Sequence, residues 1–194
     1  MYALEHGLGG SAGSLLDLAF EQPVAQLYKR SGLLSQKATA LCGPTSLAMV
    51  LQSIGVEAEP GNVLIGTPVS HVLGVRVGGM SLDQLGEVLE VKTTHRTDLV
   101  RDLSLDALRI ELRNVNDPRF RYIANFDRRP LFGWGGGHHS PLGAYLEAQD
   151  ALLVLDVNSR VGPFMVSVPQ FHRVLFSRDA WMDKTRGLAR VTLG

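Results

Sequence analysis

The chain has 194 residues, of which 45% are hydrophobic and 20% charged, so it is long enough for one domain with a buried core. Its 19 Lys and Arg residues balance 19 Asp and Glu residues, and no basic stripe interleaves with aromatic side chains, which argues against a nucleic-acid partner. No run approaches the roughly 18 consecutive apolar residues that a membrane span needs, so no membrane partner is expected.

The chain contains one cysteine, Cys42. A single cysteine cannot form an internal disulfide, which fits a reducing compartment. The N-terminal segment "MYALEHGLGGSAGSLLDLAF" carries acidic residues and no basic region ahead of its short apolar run, unlike a secretory signal. We therefore predict a cytoplasmic location.

The first part of the chain is predicted to be helical. In "LLDLAFEQPVAQLYKRSGLL", Pro23 marks the first turn of a helix, and we assign residues 1–33 to an N-terminal arm with its first helix. The next pattern, "PTSLAMVLQSIGV", has one apolar helical face and a natural stop at Gly55. Cys42 is therefore expected at or just before a helix N-terminus.

Helical patterns give way to strand patterns near residue 120. Ser81 and Ser104 are predicted caps of two more helices, "LDQLGEVLEV" and "LDALRIELRNV". The strand patterns that follow are "RYIANFD", "PLGAYLEA", "ALLVLDVN" and "FMVSV", then a helical "VPQFHRVLF" and a last strand, "GLARVTL". This order predicts an α+β fold in which an N-terminal helical half packs on one face of a C-terminal antiparallel sheet. Residues 34–194 contain no linker and are assigned to one domain.

The segment 56–80, "VEAEPGNVLIGTPVSHVLGVRVGGM", is rich in apolar residues. Three interpretations stay open at this point. The segment could line a pocket, cover a homodimer interface or pack locally.

Cys42 is the first candidate for chemistry. A helix N-terminus lowers the pKa of a thiol through its free N–H groups and the positive end of the helix dipole, and the thiolate is the nucleophilic form of cysteine. The alternative is a small buried residue, which free cysteine often is. A nucleophilic cysteine also needs a base, held in place by a third group.

The segment "GWGGGHHSPLGAYLEAQDALLVLDVNSR" offers such a base and such a third group. His138 and His139 begin one predicted strand, Asp156 ends the next, and a turn near residues 148–150 places the two ends close together. Adjacent side chains on a strand point to opposite faces, so only one histidine can share a face with Asp156. The same alternation argues against a metal site at this pair, and we predict no metal and no cofactor.

Gln36 lies six positions before Cys42. An amide side chain at that distance could stabilise an oxyanion that develops beside the sulfur. The chain order Gln, Cys, His, Asp is that of papain-like enzymes. A surface glutamine is the alternative interpretation.

The segments "CGPTSLAMVLQSIGV", "GGMSLDQL", "YIANFDRRPLFGWGGGHHSPLGAY" and "LLVLDVNSRVGPFMV" resemble the catalytic domain of the phytochelatin synthase family. These enzymes are γ-glutamylcysteine dipeptidyltransferases of the papain-like superfamily. The resemblance runs from about residue 34 to the C-terminus. It implies a papain-like fold and no cofactor.

Position by position, the resemblance makes Cys42 the acylated nucleophile, Gln36 the oxyanion donor and Asp156 the orienting carboxylate. It also chooses between the histidines, because the family pattern Gly-His-x-Ser-Pro makes His138 the base and places His139 in the variable position. Gly137 and Ser140 of the same pattern, together with Arg160, are the expected substrate-binding residues.

The sequence departs from the family pattern at two places. Ser159 stands where the family has an arginine after the catalytic aspartate, and Arg160 follows one position later. His139 replaces an apolar or aromatic residue. The Cys-rich extension linked with metal sensing in eukaryotic members does not follow, so metal-activated polymer synthesis is not implied.

The resemblance implies a cysteine peptidase or acyltransferase whose substrate is glutathione or a similar thiol peptide. Glycine would leave, and the γ-glutamylcysteinyl enzyme would be resolved by water or by an amine. Two alternatives remain: the same triad acts on a different amide in a biosynthetic pathway, or the fold serves a binding protein without turnover.

Overall fold

A computed structural model describes residues 12–69, 79–180 and 182–194. Residues 1–11 of the predicted arm and residues 70–78 of the apolar segment lie outside the described residues. None of the described helices is long and apolar enough to cross a membrane.

Four helices form the N-terminal part of the described chain. They are α1 (Ala12–Phe20), α2 (Pro23–Ser31), α3 (Cys42–Ser53) and α4 (Leu82–Lys92). Pro23 occupies the first turn of α2, as predicted, because a helix needs no N–H donor there. Ser81 caps α4, accepting from the Gln84 N–H at 3.1 Å while the Gln84 side chain accepts from the Ser81 N–H at 2.9 Å.

The central sheet has six antiparallel strands in the order β1-β8-β2-β3-β4-β5. Their bounds are β1 (Arg96–Val100), β2 (Phe120–Asp127), β3 (Gly137–Leu146), β4 (Ala151–Leu155), β5 (Pro163–Ser167) and β8 (Gly187–Thr192). A separate two-stranded ribbon pairs β6 (Arg178–Asp179) with β7 (Lys184–Thr185). The predicted antiparallel sheet is therefore confirmed.

Helices cover both faces of the sheet, whereas the sequence predicted one covered face. Helices α1 to α4 share one buried cluster with the inward residues of the strands. The other face carries α5 (Leu105–Leu112) and α7 (Val168–Leu175), while the short α6 (Arg129–Phe132) connects β2 to β3. The difference arises because the strands alternate buried residues on both faces, as Leu152 and Leu153 do in the two clusters.

Strand β1 was not predicted from the sequence. Its residues "RTDLV" are half-buried or exposed and show no apolar alternation, as befits a strand at the edge of the sheet. Leu99 of this strand packs against α4: a Cβ at Gly86 of α4 would lie 3.0 Å from a Leu99 methyl carbon. Gly86 thus allows the close approach of α4 to the edge strand.

Local packing accounts for most of the apolar segment that the structure describes. Ala58, Val63, Leu64 and Val69 are buried in the same cluster as α3. Ile65 is 65% exposed. A homodimer interface at this segment stays a prediction.

Candidate active site

Cys42 is the first residue of α3 and follows one turn of 3-10 helix at Thr39–Leu41. The prediction that it begins a helix is confirmed. Leu41 at the N-cap makes no side-chain hydrogen bond, and the backbone groups of His139 and Gly43 help to lower the pKa of the Cys42 thiol. The residue is 5% exposed. The thiol is therefore buried among groups that favour its ionised form.

His138 and Asp156 lie together at the ends of neighbouring strands. The His138 Nε2 donates to Asp156 Oδ1 at 2.9 Å, and the neighbouring Cys42 thiol helps to raise the pKa of the imidazole. Since Nε2 is used by the carboxylate, Nδ1 is the ring nitrogen that remains for the sulfur. The edge of the Phe126 ring packs against the imidazole at 5.7 Å between ring centres. The three residues that the sequence singled out therefore meet at one point.

The electrostatics of the pair favour a thiolate and an imidazolium. Burial disfavours the thiolate, but the hydrogen bond and charge of His138 and the two backbone groups outweigh it and lower the pKa of the Cys42 thiol. Burial also disfavours the imidazolium, but Asp156 and Cys42 outweigh it and raise the pKa of His138. Opposite shifts of this kind are those of an activated cysteine nucleophile.

Asp156 has two further neighbours besides His138. Its Oδ1 accepts from the Asn158 backbone N–H at 2.7 Å, and the Nη1 of Arg128 lies 3.8 Å away. The side chains of Arg128 and Asp156 are 5% and 0% exposed. Among the described residues, the second carboxylate oxygen, Oδ2, has no hydrogen-bond partner, and neither do Nε and Nη1 of Arg128. A buried positive charge therefore stands beside the carboxylate that orients the imidazole.

Sequence analysis missed Arg128. Its guanidinium lies over the Trp134 ring at 5.0 Å, and a Cβ at Gly135 would lie 3.3 Å from its Nε. The only signal in the sequence is the "DRRP" that precedes the glycine-rich turn, where two adjacent arginines look alike. The backbone distinguishes them, because Arg128 is buried while Arg129 is exposed.

Gln36 lies beside the segment that carries Asp156. Its backbone N–H donates to the Val157 carbonyl at 2.7 Å. Its side-chain Nε2 donates to the carbonyls of Ala38 at 3.0 Å and Thr39 at 3.3 Å, while its buried Oε1 has no partner. Both amide hydrogens are thus used within the turn that leads to Cys42. The oxyanion role stays a prediction.

The three expected substrate-binding residues have different environments. A Cβ at Gly137 would lie 2.5 Å from Arg186 Nη1, so glycine is needed for the close approach of that side chain. Ser140 is buried, and its hydroxyl donates to the His139 carbonyl at 2.8 Å. Arg160 is exposed on the turn after Asp156, where its N–H donates to Asn158 Oδ1 at 3.0 Å. Their binding roles stay predictions.

His139 points away from the triad, as the alternation along a strand requires. Its ring is buried, and its Nε2 donates to the Met80 carbonyl at 2.8 Å. The structure thus agrees with the sequence argument that one histidine only can share a side with Asp156. Within residues 12–69, 79–180 and 182–194 no group of three or more His, Cys, Asp or Glu residues could hold a metal ion.

Comparisons with known proteins give the family. The family profile for phytochelatin synthase matches residues 13–188. The curated protein glutathione gamma-glutamylcysteinyltransferase from Schizosaccharomyces pombe is 24% identical over 168 residues, which are 80% of this chain and 40% of that protein. The chain thus spans less than half the length of this relative.

Solved structures give the fold. The peptidase domain of Streptococcus ComA, a bifunctional ABC transporter of a quorum-sensing pathway, has a TM-score of 0.57 at 17% identity and covers 84% of this chain and 98% of its own. A double-glycine motif protease from an AMS/PCAT transporter has a TM-score of 0.55 at 14% identity, with coverage of 84% and 91%. Both support the predicted α+β papain-like fold. With its family profile matched over most of its length, the chain belongs to the phytochelatin synthase family.

Proposed function

We propose that the chain is a cysteine-dependent transferase or peptidase that acts on glutathione or a glutathione-like amide. The observation that carries the proposal is the buried contact of Cys42 with His138, whose other ring nitrogen donates to Asp156 at 2.9 Å. Membership in the phytochelatin synthase family and the likeness to a protein named glutathione gamma-glutamylcysteinyltransferase support the substrate class.

The first step transfers the acyl group to sulfur. The Cys42 thiolate attacks the carbonyl carbon of the Cys–Gly amide, a thioester bond forms, and the C–N bond breaks. The His138 imidazolium gives its proton to the departing amine, so that glycine leaves with a neutral amino group. Asp156 keeps the imidazole oriented and stabilises its positive charge.

The second step releases the γ-glutamylcysteinyl group. His138, now neutral, takes a proton from water or from the amino group of an acceptor as that nucleophile attacks the thioester carbon. The bond to sulfur breaks and the thiolate is restored. Gln36 is assigned the oxyanion donor in both steps, which requires its Nε2 to exchange a hydrogen bond with the turn for one with the substrate oxygen.

Mass spectrometry of a glutathione incubation tests the proposal, with intact protein and small products both followed. The wild-type protein should carry a γ-glutamylcysteinyl adduct and release glycine, while Cys42→Ala should do neither. The ratio of γ-glutamylcysteine to longer peptides separates hydrolysis from transfer.

Two other outcomes would redirect the assignment. If glutathione stays intact while iodoacetamide alkylates Cys42 at about pH 6, the thiolate is active and the substrate is a different amide. If Cys42 is inert in both assays, the chain is a binding protein on this fold.

A further inference from the structure

The His139 side chain is buried and anchored through Nε2. This nitrogen carries a proton, because it donates to the Met80 carbonyl at 2.8 Å. The Asn125 Nδ2 lies 3.0 Å from Nε2 and 3.4 Å from Nδ1, so the amide packs against the ring. Burial lowers the pKa of His139 to about 4, so the ring is neutral near pH 7.

The Asn125 amide is itself fixed by charged neighbours. Its Oδ1 accepts from Arg186 Nη1 at 3.0 Å, which sets the orientation of the amide and directs Nδ2 toward His139. Arg186 in turn pairs with Asp179 at 3.1 Å. A chain of polar contacts therefore runs from the surface ribbon through Asn125 to the His139 ring and ends on the Met80 carbonyl.

Met80 lies against the start of the nucleophile helix. A Cβ at Gly43 would lie 2.8 Å from the Met80 sulfur and 3.1 Å from its Cβ, so the Met80 side chain covers the Gly43 backbone. The backbone groups of Gly43 and His139 both help to lower the pKa of the Cys42 thiol. The His139 carbonyl accepts from Ser46 of the same helix at 3.0 Å.

We propose that His139 is a positioning residue for the cysteine nucleophile: its ring holds Met80 on Gly43 and its carbonyl binds Ser46 of α3, so that the first turn of α3 keeps Cys42 in place beside His138. The imidazole of His139 is bonded to the Met80 carbonyl, on the side away from Asp156, and so acts on Cys42 through Met80 and the peptide groups. This role rests on the proposed function, in which Cys42 is the nucleophile.

An aromatic ring without nitrogen would fill the same space but break the anchor. With His139→Phe, the Met80 carbonyl loses its hydrogen-bond donor. The His139→Gln substitution keeps an N–H donor near the position of Nε2 and an acceptor oxygen beside it. The two variants therefore separate the hydrogen bond from the mere filling of the site.

The test is the pH profile of Cys42 alkylation by iodoacetamide, whose midpoint reports the thiolate and whose plateau reports access. We expect His139→Phe to raise the midpoint by about one pH unit, the size expected for one weakened hydrogen bond to an anion, and to slow alkylation at about pH 6 by about tenfold. The His139→Gln variant should keep the wild-type midpoint. Its alkylation rate at about pH 6 should lie within about twofold of the wild-type rate.

His172 offers a matched control. Its Nε2 donates to the Leu103 carbonyl at 2.8 Å, the same bond type as that of His139, and its ring packs on Phe176 instead of on the nucleophile helix. His172→Phe should lower the melting temperature and leave the alkylation midpoint unchanged. Met80→Ala keeps the carbonyl but removes the side chain that covers Gly43, and it should raise the alkylation midpoint. This variant replaces His139→Phe in the test if His139→Phe does not fold.

The proposal is overturned if neither His139→Phe nor Met80→Ala moves the midpoint, if His139→Gln moves it as far as the phenylalanine does, or if His172→Phe moves it equally. None of these outcomes depends on glutathione. A failure of the glutathione assay with a shifted midpoint would therefore reject the substrate and keep the role of His139.

Discussion

His138 uses its two ring nitrogens for different purposes, and the difference determines how the candidate site responds to pH. The Nε2 atom donates to Asp156 at 2.9 Å, which fixes the ring and stabilises its positive charge. Asp156 and Cys42 raise the pKa of His138, while His138 lowers that of Cys42. The reactive ion pair therefore exists above the lowered thiol pKa and below the raised imidazole pKa.

Asp156→Asn should narrow this window from its alkaline side. The amide oxygen can still accept from Nε2, but the negative charge that favours the imidazolium is lost, so the pKa of His138 falls. The alkaline limb of the kcat/KM profile should move to lower pH, because the imidazolium is the general acid, and turnover should drop by at least about a hundredfold.

Asp150→Asn is the matched control for that change of charge. Asp150 lies in the β3–β4 turn with a φ of 47°, a left-handed conformation that asparagine adopts readily. Its side chain forms an ion pair with Arg109 of α5. The alkaline limb of this variant should coincide with that of the wild type. Equal shifts in both variants would mean that net charge, and not the contact with His138, sets the limb.

At the scale of elements, helix α3 begins at Cys42, the proposed nucleophile, and is held at its last turn by a buried arginine. Arg121 of β2 donates through Nε to Ser53 Oγ at 2.9 Å and through Nη2 to the Ser53 carbonyl at 3.3 Å. Its Nη1 donates to the Phe120 carbonyl at 2.7 Å. A cation at a helix C-terminus interacts favourably with the helix dipole, so this arginine stabilises α3 from the end opposite Cys42.

Arg121→Met should lower the free energy of unfolding by about 3 kcal/mol, because buried carbonyls lose charged donors. Urea denaturation measures the loss. Arg119→Met provides the comparison, since Arg119 is two residues away, its side chain is 74% exposed, and its ion pair is with the neighbouring Asp117. That variant should unfold at nearly the wild-type urea concentration. Similar losses in both variants would contradict the role of burial at Arg121.

The elements that the sequence predicted are those whose signals are local. Ser81 and Ser104 cap their helices as expected, and Pro23 begins α2, because each acts on a backbone group within three residues. Strand β1 had no such signal, since its place is set by pairing with β8 almost a hundred residues away. The partners of Arg128 and His139 were unpredictable for the same reason, because each depends on a turn or loop that only the folded chain brings close.

At the scale of the whole molecule, the helices before residue 33 are part of the core that surrounds the cysteine. Val24, Ala25 and Tyr28 of α2 are at most 1% exposed and belong to the same buried cluster as Cys42. The predicted division into residues 1–33 and 34–194 therefore has a physical test. The order of the triad along the chain was readable from the sequence, whereas this packing was not.

Ala25→Glu should destabilise the whole protein by about 4 kcal/mol or more, because it places a carboxylate without a partner in the core. Loss of the helix signal by circular dichroism and exposure of Cys42 to a thiol reagent should occur in one transition. Lys29 lies one turn later in α2, where its side chain is exposed. Lys29→Glu introduces the same side chain there and should leave that transition unchanged. Separate transitions would instead support an independent N-terminal arm.

The strand order also has a consequence for the growing chain on the ribosome. β8 lies between β1 and β2, yet it is the last strand of the sheet to be synthesised. While translation proceeds, β3 and β4 can pair as a hairpin and bring His138 toward Asp156, but β1 has no neighbour and β2 keeps an open edge. Closing the sheet requires contacts between distant residues, which is a slow step in folding. A ribosome stalled before residue 187 would thus hold an incomplete sheet with exposed edges, the form of this protein most open to aggregation and to capture by chaperones.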